Sequence, residues 1–501
     1  MAGRRYFQHG HASIPTANLS SGIGGLLRPT TGLAVLAAVA LSIGLISSCV
    51  GPMGLSGGLL DRMTAVVTTA DPANASSAPS MLDNALSKVQ DAAQLLGTPK
   101  EDSGLQSSPL SGEALQQVMP LMGQAEARLI EIYQLISQGL AREALTKADT
   151  LVRDHPNFQL AHLVHGDLLS LQTRPVRQLG DVPDTKALAA SEQLKTLREE
   201  SHRRLRALME RPPAGSIPAQ FLALSSQSRH AIAIDASRSR LYLFENQTPS
   251  ASGSLIAKAP QLHLVGDFYI SVGLSGIEKT VEGDKRTPLG VYYITSNLNP
   301  DNLPDLYGVG ALPINYPNPL DVQRGKTGSG IWLHGTPREQ FVRAPQASDG
   351  CVVLSNPDLE RLLKTVQIRT TPVVIAPDLQ WVQPEALDTE RQAFEAALEA
   401  WRVAKSEGNL GQLKGFYSSR FLNQGRDLAQ WWPRVESELR PEKGPRELQL
   451  KELSLLRWRD AQDTMVVTFG EVPLGQSRGV TRRQYWALER DQWKIFSEGT
   501  L

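Results

Sequence analysis

The chain has 501 residues and two cysteines, Cys49 and Cys351, and the second stands where chemistry is possible. The stretch Gly330-Ile-Trp-Leu-His334-Gly-Thr-Pro337 is followed by Ser348-Asp-Gly-Cys351-Val-Val-Leu354. A histidine at a strand end can meet a cysteine in a turn a short distance downstream, take the thiol proton and leave a nucleophilic thiolate. An unassisted thiol titrates near pH ~8.5 and is only a few per cent ionised at neutrality, so a paired imidazole raises its reactive fraction. Gly350 removes a side chain just before the sulfur, which permits a tight turn and close approach of a substrate backbone. Peptide N–H groups of that turn, including the one of Cys351, suit the oxyanion of a tetrahedral intermediate, at about 3 kcal/mol per donor. Acyl transfer through a thioester is the reaction that follows. An isolated cysteine is more often a small buried hydrophobe; His334-Gly-Thr and Ser-x-Gly-Cys together favour catalysis.

The elements that must position these groups belong to a multidomain chain. Its length suggests about three folded units plus tails. Lysine plus arginine equals aspartate plus glutamate, 51 each, so no global basic field favours a nucleic acid partner. Between Arg28 and Asp61 there is no charged residue, and Leu33 to Ile46 is almost wholly apolar. With Arg4, Arg5 and Arg28 before it, this segment is an export signal with its basic side in the cytoplasm. A single-pass anchor is favoured, while a cleaved signal and a lipoprotein signal at Ile46-Ser-Ser-Cys49 remain open. Each alternative places the rest of the chain at the periplasmic face of the cytoplasmic membrane.

The expected order is a cytoplasmic basic segment at 1–30, a signal or transmembrane anchor at 31–55, and a flexible spacer at 56–118, with a short helix around Met81 to Leu96. An α-helical module covers 119–212. Its Gly139, Ala144, Pro156 and Gly166, with Leu169 among the apolar positions, resemble a tetratricopeptide unit, and a generic helical hairpin fits them as well; either is a packing or protein-docking module. His155, His162 and His165 within it lack the second ligand cluster that a metal site needs. Beyond Pro218 the period changes to that of strands. The segments His230–Asp235, Arg240–Phe244, Leu262–Gly273, Val291–Thr295, Gly330–His334, Cys351–Leu354 and Val373–Ile375, with one helix from Asn356 to Thr365, predict a mostly-β catalytic domain at 225–378. A helix from Thr389 to Lys405 and a hairpin ending at Phe496 predict an α+β accessory domain at 385–501. Six of the eight tryptophans lie there.

Three motifs carry a resemblance. Gly283-Asp-Lys-Arg-Thr-Pro-Leu-Gly290, Ile331-Trp-Leu-His-Gly-Thr336 and Ser348-Asp-Gly-Cys-Val-Val-Leu354, in this order, resemble the L,D-transpeptidase (YkuD-type) catalytic domain over about residues 228–376. The resemblance implies a β-sandwich-like domain acting on peptidoglycan stem peptides, with Cys351 as nucleophile and His334 as general base. It also implies that the Gly335 carbonyl orients the imidazole, and that Ser348 and Gly350 belong to the oxyanion turn. Cys351 would attack at the third residue, diaminopimelate; the terminal D-alanine departs, and an amine resolves the thioester. Asp349 and Val353 depart from the usual Ser/Thr-His-Gly-Cys-x-Arg motif. A carboxylate beside the thiol disfavours the thiolate unless it pairs with His334 or meets a substrate amine. The Asp-Gly-Cys form resembles a YafK-type branch in which water resolves the thioester and a wall-linked lipoprotein is released. Lys285 and Arg286 are candidates for a substrate carboxylate, although a charged hairpin tip explains them as well. Trp332 is expected on the face away from His334, as core. The chemistry calls for no cofactor and no metal. The last domain resembles the nuclear-transport-factor and SnoaL-like fold, a host of many functions. A non-catalytic wall-binding scaffold is the rival from another class.

Overall fold

The computed structural model describes residues 106–107, 116–182, 189–249, 259–439 and 447–501. The expected membrane segment, Cys49 and the spacer helix lie outside them. Among the described residues no helix is long and apolar enough to cross a membrane. Within the expected spacer, Gln106–Ser107 pairs antiparallel with Glu210–Arg211.

Four helices come first: α1 (Gln124–Ser137), α2 (Ala141–Asp154), α3 (Gln159–Ser170) and α4 (Ser191–Met209). Leu129, Ile132, Ala144, Ala148, Leu151, Leu160, Val164 and Leu168 form their shared core. The stripe on α3 runs through Val164 and Leu168, and Leu169 is instead exposed. Gly139 at φ +74° ends α1 as a left-handed residue, which glycine adopts without strain. His165 pairs with Asp149 of α2 at 2.7 Å, an acid remote in sequence that the helical hairpin brings alongside.

The strands that follow are β1 (Phe221–Ala223), β2 (His230–Asp235), β3 (Arg240–Asn246), β4 (Leu262–Tyr269), β5 (Val272–Gly273), β6 (Gly290–Tyr293), β7 (Ala311–Pro313), β8 (Trp332–His334), β9 (Gln346–Ser348), β10 (Val352–Val353) and β11 (Pro372–Ala376). A mixed five-stranded sheet runs in the order β4-β3-β2-β11-β6, a three-stranded sheet runs β7-β8-β10, and β9 pairs with β5. Between the two larger sheets lies a core holding Ile232, Ile234, Leu241, Leu243, Leu333 and Val352, closed by Leu359 and Leu362 of helix α5 (Asn356–Thr365). The alternate residues Ala231, Ala233, Tyr242 and Phe244 are buried as well, in a second core with Trp381, Leu456 and Phe496. The alternation in β2 and β3 therefore separates two cores, because the C-terminal domain covers the face that an isolated hairpin would leave wet.

That domain holds α6 (Asp388–Ser406), α7 (Leu428–Glu438) and the long strands β12 (Leu448–Arg459), β13 (Asp463–Pro473), β14 (Val480–Glu489) and β15 (Gln492–Thr500). Its sheet runs β15-β14-β13-β12-β1. The edge strand β1 precedes the catalytic domain in sequence, with Leu455 opposite Ala223 and Leu456 opposite Phe221. The chain thus leaves the C-terminal sheet, builds the β domain and returns.

Candidate active site

His334 and Cys351 are brought together by β8 and β10, which pair in parallel with Leu333 opposite Val352 and His334 opposite Val353. Cys351 directly precedes β10 and so stands level with Trp332. Side chains alternate along a strand, so Trp332, His334 and Cys351 share one face while Leu333 and Val352 point into the core. Trp332 is two residues from His334, and the expectation that it faces away is corrected. The Tyr307 ring packs on both, with centroids 4.7 Å from Trp332 and 5.0 Å from His334.

The imidazole is anchored. His334 Nδ1 lies 2.7 Å from the Gly335 carbonyl oxygen, so that Nδ1 carries the proton and Nε2 is left as the acceptor. The Gly335–Thr336 segment is held in turn by Asn356, the first residue of α5. Its Nδ2 donates to the Thr336 carbonyl at 2.9 Å, and its Oδ1 accepts from the Thr336 N–H at 3.1 Å. A Cβ on Gly335 would come within 2.0 Å of that Oδ1.

The nucleophile turn is fixed by two hydroxyls. Ser348 Oγ donates to the Cys351 carbonyl at 2.6 Å and accepts from the Gly350 N–H at 3.1 Å. Thr287, fully buried, donates to the Gly350 carbonyl at 2.9 Å and accepts from the Gly273 N–H at 2.9 Å. Gly350 sits at φ +120°, and a Cβ there would lie 2.7 Å from the Arg286 carbonyl oxygen, so both conformation and space require glycine. The N–H groups of Gly350 and of Gly335, which donates to the Tyr307 carbonyl at 3.0 Å, are therefore committed to the fold. The Cys351 N–H has no backbone partner among the described residues.

Electrostatics set the resting protonation. Burial pushes His334 down to about 4; the Gly335 carbonyl opposes this and the Arg343 guanidinium adds to it. Burial also pushes the Cys351 thiol above its ordinary value, against help for the thiolate from the Trp332 N–H and from Arg343. A preformed thiolate with its imidazolium is thus disfavoured, contrary to the raised thiolate fraction expected from the pairing. Proton transfer must accompany attack, with the neutral imidazole as acceptor.

The charged candidates stand at the rim. Asp349 is exposed and its carboxylate lies 3.6 Å from Lys285 Nζ, so it pairs with that residue rather than with His334. Arg286 donates to the Ile277 carbonyl at 2.8 Å, which spends part of its guanidinium on its own loop. Thr287, Asn356, Tyr307 and Arg343 were missed by sequence reasoning. Thr287 stood inside the Gly283–Gly290 motif and Asn356 inside Ser355-Asn-Pro357 after the cysteine, and those places were the available signals.

Residues 229–375, which present a cysteine and an anchored imidazole at two parallel strand ends above a β core, match the YkuD family model, the L,D-transpeptidase catalytic domain, whose members are cysteine-based cell-wall enzymes. Residues 393–499 match the Cds6 C-terminal NTF2-like domain. The chain carries a YkuD-type catalytic domain followed by an NTF2-like domain of the Cds6 type. Similar solved structures include Bd1075 of Bdellovibrio bacteriovorus, 24% identical, covering 57% of this chain and 98% of that one with a TM-score of 0.46. The helical cell shape determining protein Pgp2 of Campylobacter jejuni is 20% identical, covering 56% of this chain and 95% of that one with a TM-score of 0.44. No curated protein matches the chain.

Proposed function

We propose that this chain is an exported cysteine acyl-transferase that acts on peptidoglycan stem peptides through a thioester on Cys351. The observation that carries the proposal is the Nδ1 anchor of His334 to the Gly335 carbonyl, which leaves Nε2 as a base on the face that also bears the sulfur. In the first half-reaction Nε2 accepts the thiol proton as sulfur attacks the carbonyl of the third stem residue. The oxyanion takes the Cys351 N–H, and the imidazolium returns its proton to the departing amine of D-alanine. In the second half-reaction an amine or a water attacks the thioester and sulfur leaves as the thiol. The amine gives an L,D-cross-link. Water gives a stem that ends at its third residue; where the amine expelled in the first half-reaction is the lysine of a wall-linked lipoprotein instead of D-alanine, in the manner of the YafK-type branch, that first step releases the lipoprotein.

The uncharged segment between Arg28 and Asp61 supports a periplasmic location with a membrane anchor, and the helical module supports a protein partner. The test is to incubate the purified protein with disaccharide-tetrapeptide and with lipoprotein-linked muropeptide, and to weigh the products. A cross-link, a stem shorter by one D-alanine or a freed peptide is expected, and each is expected to vanish in Cys351→Ala. If all three are absent from the native protein, or if Cys351→Ala still forms them, the acyl-transferase is disproved and the wall-binding scaffold takes its place.

A further inference from the structure

One residue of the β domain belongs to the core of the helices. Phe341 is buried in the cluster of Leu129, Leu151, Phe158, Val164 and Leu205, and its neighbour Val342 packs against it; among the described residues no other β-domain residue joins that cluster. The Phe341 ring lies 4.4 Å from Phe158 and 5.0 Å from His155, centroid to centroid. Its N–H donates to the Asn157 carbonyl at 3.2 Å, and Asn157 Nδ2 donates to the Arg338 carbonyl at 2.9 Å. These partners sit in the turn between α2 and α3. A second hold comes from α4, where the Arg204 guanidinium lies 3.9 Å from the centroid of the Tyr269 ring and the Tyr269 hydroxyl donates to the Arg343 carbonyl at 3.1 Å. The rest of the loop reads Pro337-Arg-Glu-Gln340 and Arg343-Ala-Pro345, with no large apolar side chain to bury. Without the helices it has little to fold against.

The same loop reaches the base. Thr336, fully buried, directs its hydroxyl to the Gln340 carbonyl at 2.8 Å and to the Phe341 carbonyl at 3.2 Å. Its own N–H and carbonyl are clamped by Asn356, and the residue before it is Gly335, whose carbonyl fixes His334 Nδ1 at 2.7 Å. The links from the helices to the imidazole are therefore continuous: Phe158 on the Phe341 ring, the Phe341 carbonyl on the Thr336 hydroxyl, Thr336 bonded to Gly335, and the Gly335 carbonyl on Nδ1. The matched YkuD-type segment begins at residue 229 and the NTF2-like one at 393, so the helices that start this series lie outside both.

We infer that the helical module is a working part of the active site, in which Phe158 and Phe341 are positioning residues that hold the loop and, through Thr336 and the Gly335 carbonyl, aim His334 Nε2 across the face that bears Cys351. They act through the backbone and not on the reacting atoms. A base that takes its proton during attack depends on the direction of its lone pair, and a misplacement of about 1 Å costs roughly 100-fold in rate. The inference rests on the acyl-transfer reading above and adds to it the share of the chemistry that the helices supply.

The test follows product formation by the full-length protein from the disaccharide-tetrapeptide or the lipoprotein-linked muropeptide, whichever the native chain turns over, with the urea midpoint measured alongside. Phe158→Ala and Phe341→Ala are each expected to lower kcat by on the order of 10- to 100-fold while KM changes by less than about 3-fold, and Phe158→Leu and Phe341→Leu to recover most of the loss. The double alanine variant is expected to fall no further than the worse single one, because both cut one link. Thr336→Val keeps the volume and removes only the hydroxyl, so it carries the test even where an alanine variant does not fold. The second readout is the acid limb of kcat/KM. The Arg343 guanidinium, the Cys351 thiol and the Tyr307 ring surround the imidazole, which burial holds at about 4. A released loop admits water, so the limb is expected to move from about 4 toward the ordinary value of about 6.5. A merely destabilised protein keeps the native limb in its folded fraction. Native kcat and acid limb in Thr336→Val or in the folded alanine variants overturn the inference, as do losses that multiply in the double variant. A native protein that turns over neither substrate sinks the acyl-transfer reading and this inference with it.

Discussion

Arg240 and His334 are both buried to within a few per cent of full enclosure, yet the two regions deal with burial in opposite ways. At the junction of the helices and the five-stranded sheet, Arg240 donates to Asp267 at 2.6 Å and to Glu126 at 2.8 Å, while Arg204 meets Glu126 and Glu200 at 2.8 Å each. Burial disfavours their charge, but the carboxylates outweigh it and hold both guanidiniums above their ordinary range. At the active site no carboxylate offsets the burial of His334, and Arg343 helps the Cys351 thiolate less than burial opposes it. Burial wins, and both groups rest neutral. One region spends its electrostatics on joining two domains; the other leaves its base neutral and its thiol protonated, the sulfur donating to the Gly330 carbonyl at 3.5 Å.

The most severe way to break the comparison is Cys351→Ala, expected to abolish product formation while leaving the urea midpoint unchanged; a midpoint that falls with activity would make the cysteine structural. Arg240→Met removes the cation from a buried cluster and leaves Asp267 and Glu126 short of a partner, which should cost about 3–5 kcal/mol in urea unfolding. The alkylation rate of Cys351 in the folded fraction should not change. An unaltered midpoint would show that the cluster joins nothing.

His334 supplies the pH dependence. Its folded value of about 4 lies below the ordinary value of about 6.5, so the unfolded chain binds a proton that the folded chain refuses. Above pH ~6.5 both states are neutral and the group contributes nothing. As pH falls from 6.5 to 4 stability is lost, up to about 3 kcal/mol. His334→Gln should flatten that part of the native profile, and identical slopes in the two proteins would count against a buried neutral imidazole. Thr287→Val leaves the Gly273 N–H and the Gly350 carbonyl without their hydroxyl, worth about 2 kcal/mol, with a matching fall in kcat. Lys285→Gln touches an exposed pair and should move stability by less than about 0.5 kcal/mol. A larger loss would mean that Asp349 is held for a purpose.

Much of this was legible in the residues. Period and turn signals placed α5 at Asn356–Thr365 and the strands that start at His230, Arg240, Val291 and Val373 within a residue or two, while Leu262 to Gly273 broke into two strands, β7 and β9 were not foreseen, and Gly330 to Leu354 contributed shorter strands than the pattern promised. Short ladders at a site are ended by the glycine turns that expose the catalytic groups. The facing of Trp332 was misread, although a residue two places from His334 shares its face.

By itself the sequence determined the local chemistry: an imidazole followed directly by a glycine, a cysteine preceded by a glycine that permits a tight turn, and apolar periods that name the elements. These are properties of neighbours along the chain. Tertiary structure alone decided that Thr287 braces Gly350 across 63 positions, that Asn356 clamps Thr336, and that β1 joins a sheet whose other strands begin more than 200 residues later. It also decided that burial would keep the thiol protonated and that a helical hairpin would pack against the loop before the nucleophile turn through Phe158 and Phe341. Desolvation and long-range hydrogen bonds depend on which surfaces meet, and the order of residues does not encode that in any short window.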